Sequence, residues 1–244
     1  MRRPTRAQVL RRRTVLVLAA LVVVATALAL SRGGDEPEAT TGSGPEAGSD
    51  AARPAEQDDE APTTTLTPTG RFVASTGTGE VVGAGPLHTY RVEVEEGTGV
   101  DPDRFADRVE EILSDPRGWT SAEGISLQRV GPDVEADMVV RLATPPTTDL
   151  LCHPLETEGY YSCAPDTEAI INADRWFHGG PRSGLGVVDY RSYVITHEVG
   201  HVLGHGHVAC PAPGAPAPVM MPQTESIGEC SPNPWPLPEE ARTG

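Results

Sequence analysis

HEVGHVLGHGH, residues 197–207, is the stretch of sequence around which the predicted fold is built. Side chains four positions apart lie on one side of an α-helix, so His197 and His201 can direct two imidazoles at one metal ion. Glu198 lies on the adjoining flank, where a carboxylate can take the proton from a metal-activated water. The stretch therefore predicts a helix that carries two metal ligands and a catalytic base.

The second half of the stretch predicts where this helix ends. Gly204 follows the second histidine by three positions, and glycine can adopt the positive φ that stops a helix and turns the chain. Such a turn brings His207 back as a third ligand. Three protein nitrogens leave the fourth tetrahedral position open to water, which distinguishes a catalytic zinc from a closed structural one.

The full pattern, H-E-x-x-H-x-x-G-x-x-H, resembles the active site of the metzincin zinc peptidases. The resemblance implies a methionine turn beneath the metal, and the sequence VMMP at residues 219–222 lies where that turn is wanted, with Met220 as the first choice. It also implies that a peptide substrate pairs with an edge strand, for which residues 168–174 and the loop after Leu142 are candidates. The chain also looks like an uncharacterised bacterial family of exported domains of unknown function.

Hydrophobic patterns predict strands that surround one packing helix before the active-site helix. The packing helix begins at Asp101-Pro102, an N-cap followed by a first-turn proline, and ends before Pro116. The active-site helix runs from residue 189 or 190 to Leu203. The predicted strands are 71–75, 88–95, 125–130, 137–142 and 168–174. Together with the resemblance, these elements predict an α+β, metzincin-like domain with a mixed twisted sheet and a short irregular C-terminal subdomain.

Two of these elements also have predicted faces. Strand 88–95 alternates, which predicts a half-buried strand with valines on one face and Glu93 and Glu95 on the other. On the active-site helix, the core face consists of Ile195, Val199, Val202 and Leu203, and the chemical face consists of His197, Glu198 and His201.

The chain contains four cysteines, an even number that suggests disulfides in an exported domain. Of the three possible pairings, proximity in sequence favours Cys152 with Cys163 and Cys210 with Cys230. A cysteine-ligated zinc is the alternative, although no C-x-x-C spacing is present.

The N-terminal part has the composition of a targeting segment followed by a tether. Residues 1–13 hold six arginines and precede an apolar run, residues 14–30, which predicts a cytoplasmic leader and a signal anchor of a single-pass membrane protein with an extracytoplasmic C-terminal domain. A signal peptide cleaved near Ala29, giving a secreted protein, also fits. Residues 31–68 predict a disordered acidic linker, with a removable pro-segment as the alternative, and residues 69–244 the catalytic domain.

These features predict a membrane-anchored or secreted zinc metalloendopeptidase, a monomer that requires Zn²⁺ and acts on peptide or protein substrates. The formal net charge of −16 argues against nucleic acid as a partner. A gluzincin-like site with Glu225 or Glu229 as third ligand is one alternative. A non-catalytic, zinc-stabilised extracytoplasmic module that binds protein or cell wall is the other, and Glu198 discriminates against it because a structural zinc needs no acid there.

Two further residues complete the sequence interpretation. His205 lies off the motif and is assigned a supporting or merely exposed role rather than direct ligation. No tyrosine follows Tyr193, so the tyrosine that some metzincins place near the metal after the methionine turn is absent. Stabilisation of the transition state would therefore depend mainly on zinc.

Overall fold

One mixed β-sheet organises residues 65–242, the part of the chain that the computed structural model describes. Its six strands are β1 (Phe72–Ala74), β2 (Val82–Gly83), β3 (Leu87–Glu95), β4 (Ser126–Arg129), β5 (Met138–Ala143) and β6 (Glu168–Asn172). The order is β2-β4-β3-β5-β6, and β1 pairs with the last residues of β3. Strands β3 to β6 run parallel to one another, whereas β1 is antiparallel to β3 and β2 is antiparallel to β4.

Five α-helices lie within residues 65–242. They are α1 (Pro102–Leu113), α2 (Trp119–Ala122), α3 (Pro145–Cys152), α4 (Ala173–His178) and α5 (Val187–Val202). A short 3-10 helix, Glu240–Arg242, follows a segment from residue 203 to 239 in which the structure forms no strand or α-helix beyond isolated bridges. The predicted mixed sheet, the packing helix α1 and the helix that carries His197 and His201, α5, are confirmed, and the result is a mixed α/β fold.

Four elements were not predicted from the sequence: β2, α2, α3 and α4. For α4 the structure gives the reason. Residues 168–174 were predicted as one strand, but the Asn172 side chain accepts hydrogen bonds from the backbone N–H groups of Asp174 and Arg175. This side chain caps a helix, so the strand ends at Asn172 and α4 begins at Ala173. Side-chain caps of this kind compete with the hydrogen bonds of a β-sheet, and the hydrophobic pattern of a strand does not reveal them.

The prediction that β3 is half-buried is wrong at its carboxyl end. Glu95 is only 1% exposed, because the loops before β1 and after β5 cover the face on which it lies. Its carboxylate accepts four hydrogen bonds of 2.6–2.7 Å, from Thr147 Oγ1 and from the backbone N–H groups of Gly70, Thr144 and Thr69. Burial alone would raise the pKa of Glu95, but these hydrogen bonds outweigh it and hold the pKa below its ordinary value of 4.5.

We expect Glu95→Gln to lower the free energy of unfolding by about 1–3 kcal/mol near neutral pH, because an amide nitrogen cannot accept the buried N–H bonds. The folded-state pKa of Glu95 is depressed, so its stabilisation is complete above the unfolded value of 4.5 and is lost as pH falls through the lower folded value. Urea unfolding of both proteins at neutral and acidic pH measures this difference. The exposed Glu135 provides the control, Glu135→Gln, and a difference that does not shrink in acid would contradict the assignment.

Helix α5 is enclosed on nearly all sides rather than having one core face. Ile195 and Val199 are fully buried as predicted, whereas Val202 and Leu203 are only partly buried. The predicted chemical face is buried as well, since His197 and Glu198 are each 5% exposed. The helix packs against β6 and α1, and the C-terminal segment covers its other side through Val219 and Met220.

Two disulfides join the cysteine pairs that the sequence favoured, Cys152–Cys163 and Cys210–Cys230. No cysteine is free among residues 65–242, so the alternative of a cysteine-ligated zinc is wrong. Cys163 also forms an antiparallel bridge with Ile170, on the outer edge of β6. The first disulfide therefore ties the loop after α3 to the edge of the sheet.

No helix among residues 65–242 is long and apolar enough to cross a lipid bilayer. This finding contradicts the single-pass membrane localisation predicted from the sequence, and that prediction is withdrawn. The leader, the apolar run 14–30 and most of the predicted linker 31–68 lie outside the described residues.

Candidate metal centre

Three imidazoles converge at the end of α5. His197 and His201 lie on the helix and His207 on the loop that follows it, with Nε2–Nε2 distances of 3.3 Å from His197 to His207 and 3.0 Å from His201 to His207. In a tetrahedral zinc site with Zn–N bonds of about 2.0–2.1 Å, ligand nitrogens lie roughly 3.3–3.4 Å apart. Both distances are therefore close to the spacing that one metal ion requires, and all three ligand nitrogens lie within 4.8 Å of one another.

Backbone carbonyls fix the orientation of two of these rings. His197 Nδ1 lies 2.7 Å from the Val219 carbonyl oxygen, and His201 Nδ1 lies 2.8 Å from that of His205. Each Nδ1–H donates to its carbonyl, which leaves the Nε2 lone pair directed at the other rings. A single N–H on His207 Nε2 could satisfy only one of these lone pairs, so the cluster fits a bound cation.

Removal from water favours the neutral form of all three imidazoles, and the neutral imidazole is the form that binds a metal. Burial, together with the nearby His201 and His207, lowers the pKa of His197 to about 3. Burial also lowers the pKa values of His201 and His207, although Glu225 acts in the opposite direction on His207. At neutral pH no proton therefore has to leave these rings before a cation binds.

The turn predicted at Gly204 is present. Gly204 has a φ of +103°, a conformation that other residues rarely adopt, and its N–H donates to the His201 carbonyl. The N–H of His205 donates to the Gly200 carbonyl at 2.9 Å, which completes a helix C-cap of the Schellman type. This reversal of the chain brings His207 over α5.

The Val219–Met220 turn packs directly against α5 beneath the histidines. Met220 is 1% exposed, and a Cβ atom added to Gly200 would lie 2.4 Å from Met220 Sδ and 2.8 Å from Trp119 Cζ2. Only a glycine at position 200 allows this approach. The predicted Met220 thus lies against the metal-site helix, and the Val219 carbonyl of the same turn orients His197.

Glu240 holds this turn in place, and the sequence analysis missed it. Its buried carboxylate accepts hydrogen bonds from the backbone N–H groups of Val219 at 3.0 Å, Met220 at 2.8 Å and Leu237 at 2.7 Å. No spacing rule could have identified Glu240, because it acts across about 20 residues of irregular chain. Its carboxylate links the C-terminal segment to the carbonyl that orients His197.

His205 supports the site from outside the cluster of ligands. Its ring stacks on Trp119 with centroids 4.4 Å apart, contacts Glu123 and is buried, while its carbonyl accepts from His201 Nδ1. Of the two roles predicted for His205, its contacts fit a supporting role. The alternative, a merely exposed side chain, is wrong because the ring is buried. The alternative ligands Glu225 and Glu229 do not join the three histidines, whose ligand atoms form the candidate metal group within the described residues.

Glu198 lies beside this cluster with no hydrogen-bond partner for its carboxylate among the described residues. Burial raises the pKa of Glu198 to about 8. The carboxylate borders a cavity of about 400 Å³ that also reaches His197 and His207. One wall of the cavity is the disulfide-tied loop, from Leu155 to Cys163, and the other contains Pro222, Thr224 and Glu225. A buried, unpartnered carboxylate thus shares an open cavity with the candidate metal site.

Comparison with known proteins identifies the family. A family model described as "Protein of unknown function (DUF3152)" matches residues 59–238. The chain belongs to the DUF3152 family. No curated protein matches it. The family description of this DUF3152 protein names no activity, so its metzincin resemblance stays a prediction.

The edge of the sheet in this DUF3152 protein differs from the simple edge that the resemblance implied. Strand β6 is the last strand, but Ile170 already exchanges two backbone hydrogen bonds with Cys163, of 2.8 and 3.1 Å. A peptide cannot pair with Ile170 while this bridge is present. The loop from Leu155 to Cys163, rather than β6, therefore faces the cavity.

We expect Glu240→Gln to weaken metal binding roughly ten-fold, because the amide replaces one acceptor and loosens the Val219 carbonyl that orients His197. The free energy of unfolding should fall by about 1–3 kcal/mol. Chelator competition measures the affinity and urea unfolding the stability. The adjacent, exposed Glu239 provides the matched control, Glu239→Gln. Lower stability with unchanged metal affinity would refute the positioning role.

Proposed function

We propose that this DUF3152 protein is a zinc-dependent metallopeptidase, with a metzincin-like site in which Glu198 is the general base. The observation that carries the proposal is the position of Glu198, which is 5% exposed and unpartnered beside three converging imidazoles and open to the same cavity. A buried carboxylate without a partner is costly, and such groups are concentrated at functional sites.

The donor set is the reason for proposing zinc. Three neutral imidazole nitrogens, with no thiolate or carboxylate in the cluster, suit Zn²⁺, and three protein ligands leave one position open. Zn²⁺ held there would supply Lewis-acid chemistry, polarising a substrate carbonyl and lowering the pKa of a water towards about 7. His197, His201 and His207 are the residues that would hold it.

The chain's own contribution to hydrolysis is proton transfer and orientation. A Glu198 carboxylate oxygen accepts a proton from the attacking water and then delivers it to the leaving amine. Burial raises the pKa of Glu198 to about 8, so without a nearby cation the carboxyl group is mostly protonated at neutral pH, although it is a stronger base than an exposed glutamate once ionised. A dication held by the neighbouring histidines would oppose this effect and favour the ionised form, which is the form that accepts a proton.

The orientation of the site comes from the backbone. The carbonyls of Val219 and His205 keep the His197 and His201 rings from rotating, so the nitrogens that would hold the metal keep a constant orientation relative to Glu198. The cavity, of about 400 Å³, has room for a short segment of peptide beside these residues. Peptide as the substrate is inferred from the resemblance of the motif to the metzincins.

We expect Glu198→Gln in the full chain to retain bound zinc and to lose peptide hydrolysis by about 10²–10⁴-fold, as expected when a general base is removed. Zinc content is measured by mass spectrometry of the metal, and hydrolysis with a mixed peptide library. Glu135→Gln is the control for a change of charge at a remote, exposed position. Full activity of the Glu198→Gln protein would refute the assigned base.

A second variant tests the metal separately. His207→Ala should weaken zinc binding strongly, because the remaining two imidazoles cannot complete a three-ligand site. Unchanged affinity would discard His207 as a ligand. A wild-type protein that binds zinc and gains stability from it, yet cleaves nothing, would favour the non-catalytic binding module instead.

A further inference from the structure

The cavity beside the histidines is lined by acidic side chains and, apart from histidine, by no basic one. Its charged side chains other than histidine are Glu156, Glu158, Glu198 and Glu225, and no arginine or lysine lines it. Glu198 forms part of its floor, and the other three, here called the rim carboxylates, are exposed. The cavity is thus open to solvent at its acidic rim and closed around the unpartnered Glu198.

The rim carboxylates lie on two separate segments of the chain that line the cavity. Glu156 and Glu158 flank Thr157, which is buried and contacts Asp149, and the N–H of Gly159 donates to the same Asp149 carboxylate at 2.7 Å. The Cys152–Cys163 disulfide closes the loop that carries them. On the other wall, the N–H of Glu225 donates to the Pro222 carbonyl at 3.0 Å in a tight turn.

The protein does not neutralise these charges itself. Among residues 65–242 no arginine or histidine side chain forms an ion pair with a rim carboxylate. Arg175, whose guanidinium stacks on Tyr160 of the same loop at 4.2 Å, is already paired with Asp174. The three rim carboxylates outnumber the two charges of a bound dication, so the field at the mouth of the cavity stays negative. Narrow clefts lined by one sign of charge concentrate such a field.

We infer that the cavity selects peptides that carry an arginine or lysine side chain next to the bond positioned over the three histidines, and that Glu156, Glu158 and Glu225 are the residues that select it. This inference rests on the proposed function for the reaction, but the recognition itself depends only on charge. Besides the acidic rim, the buried and unpartnered Glu198 borders the same cavity. The overall formal charge of −16 adds long-range attraction for a cationic substrate.

The test uses peptides that are identical except at one position, which carries arginine, its uncharged near-isostere citrulline, or glutamate. Binding is measured by fluorescence anisotropy with the zinc-loaded full chain carrying Glu198→Gln, and cleavage by mass spectrometry with zinc-loaded protein that retains Glu198. Exposed ion pairs change affinity by roughly two- to five-fold each, so three together give a preference of about ten-fold or more for arginine over citrulline at low salt. Added salt should reduce this preference.

Two triple variants with the same change of charge identify the source of the preference. Glu156→Gln/Glu158→Gln/Glu225→Gln should bring the arginine and citrulline peptides to nearly equal affinity. Glu80→Gln/Asp133→Asn/Glu135→Gln, at exposed positions that do not line the cavity, should keep most of the preference. Because Glu225 lies near His207, the double variant Glu156→Gln/Glu158→Gln repeats the test on the wall that carries no ligand, and zinc content is measured for all of them.

The outcomes separate the two proposals. A preference for arginine that disappears only in the rim variants supports the inference, and if nothing is cleaved the same result overturns the proposed function alone. Cleavage without a preference for arginine overturns the inference and leaves the peptidase proposal standing. A preference that survives in the triple rim variant, or the absence of binding to any of the peptides, overturns the inference.

Discussion

The constraint on which the site depends is that nitrogen lone pairs directed at one another repel unless a cation lies between them. The Val219 and His205 carbonyls commit the Nδ1 protons of His197 and His201, so both Nε2 lone pairs must face His207. Separations of 3.0 and 3.3 Å are close to those between ligands of one metal ion, and a single N–H on His207 Nε2 could satisfy only one of the two lone pairs, so the cluster could bind a cation. The positions of those two carbonyls are set by the surrounding fold.

The two carbonyls are held in place by different kinds of interaction, one local and one long-range. The His205 carbonyl belongs to the turn at Gly204, whose positive φ and capping hydrogen bond follow directly from the end of α5. The Val219 carbonyl lies 17 residues beyond Val202, in chain that forms no helix or strand of its own within the described region. Its position depends on Met220 packed against Gly200 and on the Glu240 carboxylate bound to the turn. Long-range packing therefore sets the orientation of His197.

This difference explains how much the sequence could predict. The ligand helix, the turn at Gly204 and the return of His207 are encoded within 11 consecutive residues, where helical periodicity and glycine chemistry determine the geometry. Five strands and the packing helix could be predicted because alternation and an N-cap with proline are local signals as well. The roles of Glu240 and the buried Glu95 could not be predicted. Each carboxylate accepts hydrogen bonds from N–H groups that are distant in sequence, and in the sequence each residue resembles an ordinary surface glutamate.

The bridge between Cys163 and Ile170, at the edge of β6, is another long-range contact that the sequence patterns did not predict. A sheet edge that accepts a peptide needs free backbone groups, and at Ile170 these groups are occupied by Cys163. The Cys152–Cys163 disulfide keeps Cys163 on that edge, so the loop from Leu155 to Cys163 replaces β6 as the surface that meets the cavity. Recognition at such a surface depends more on its side chains than on a ladder of backbone hydrogen bonds. In this loop those side chains include Glu156 and Glu158, so the inferred selection by charge follows from what lines the cavity, whereas selection by strand pairing would need backbone groups that the bridge at Ile170 already occupies.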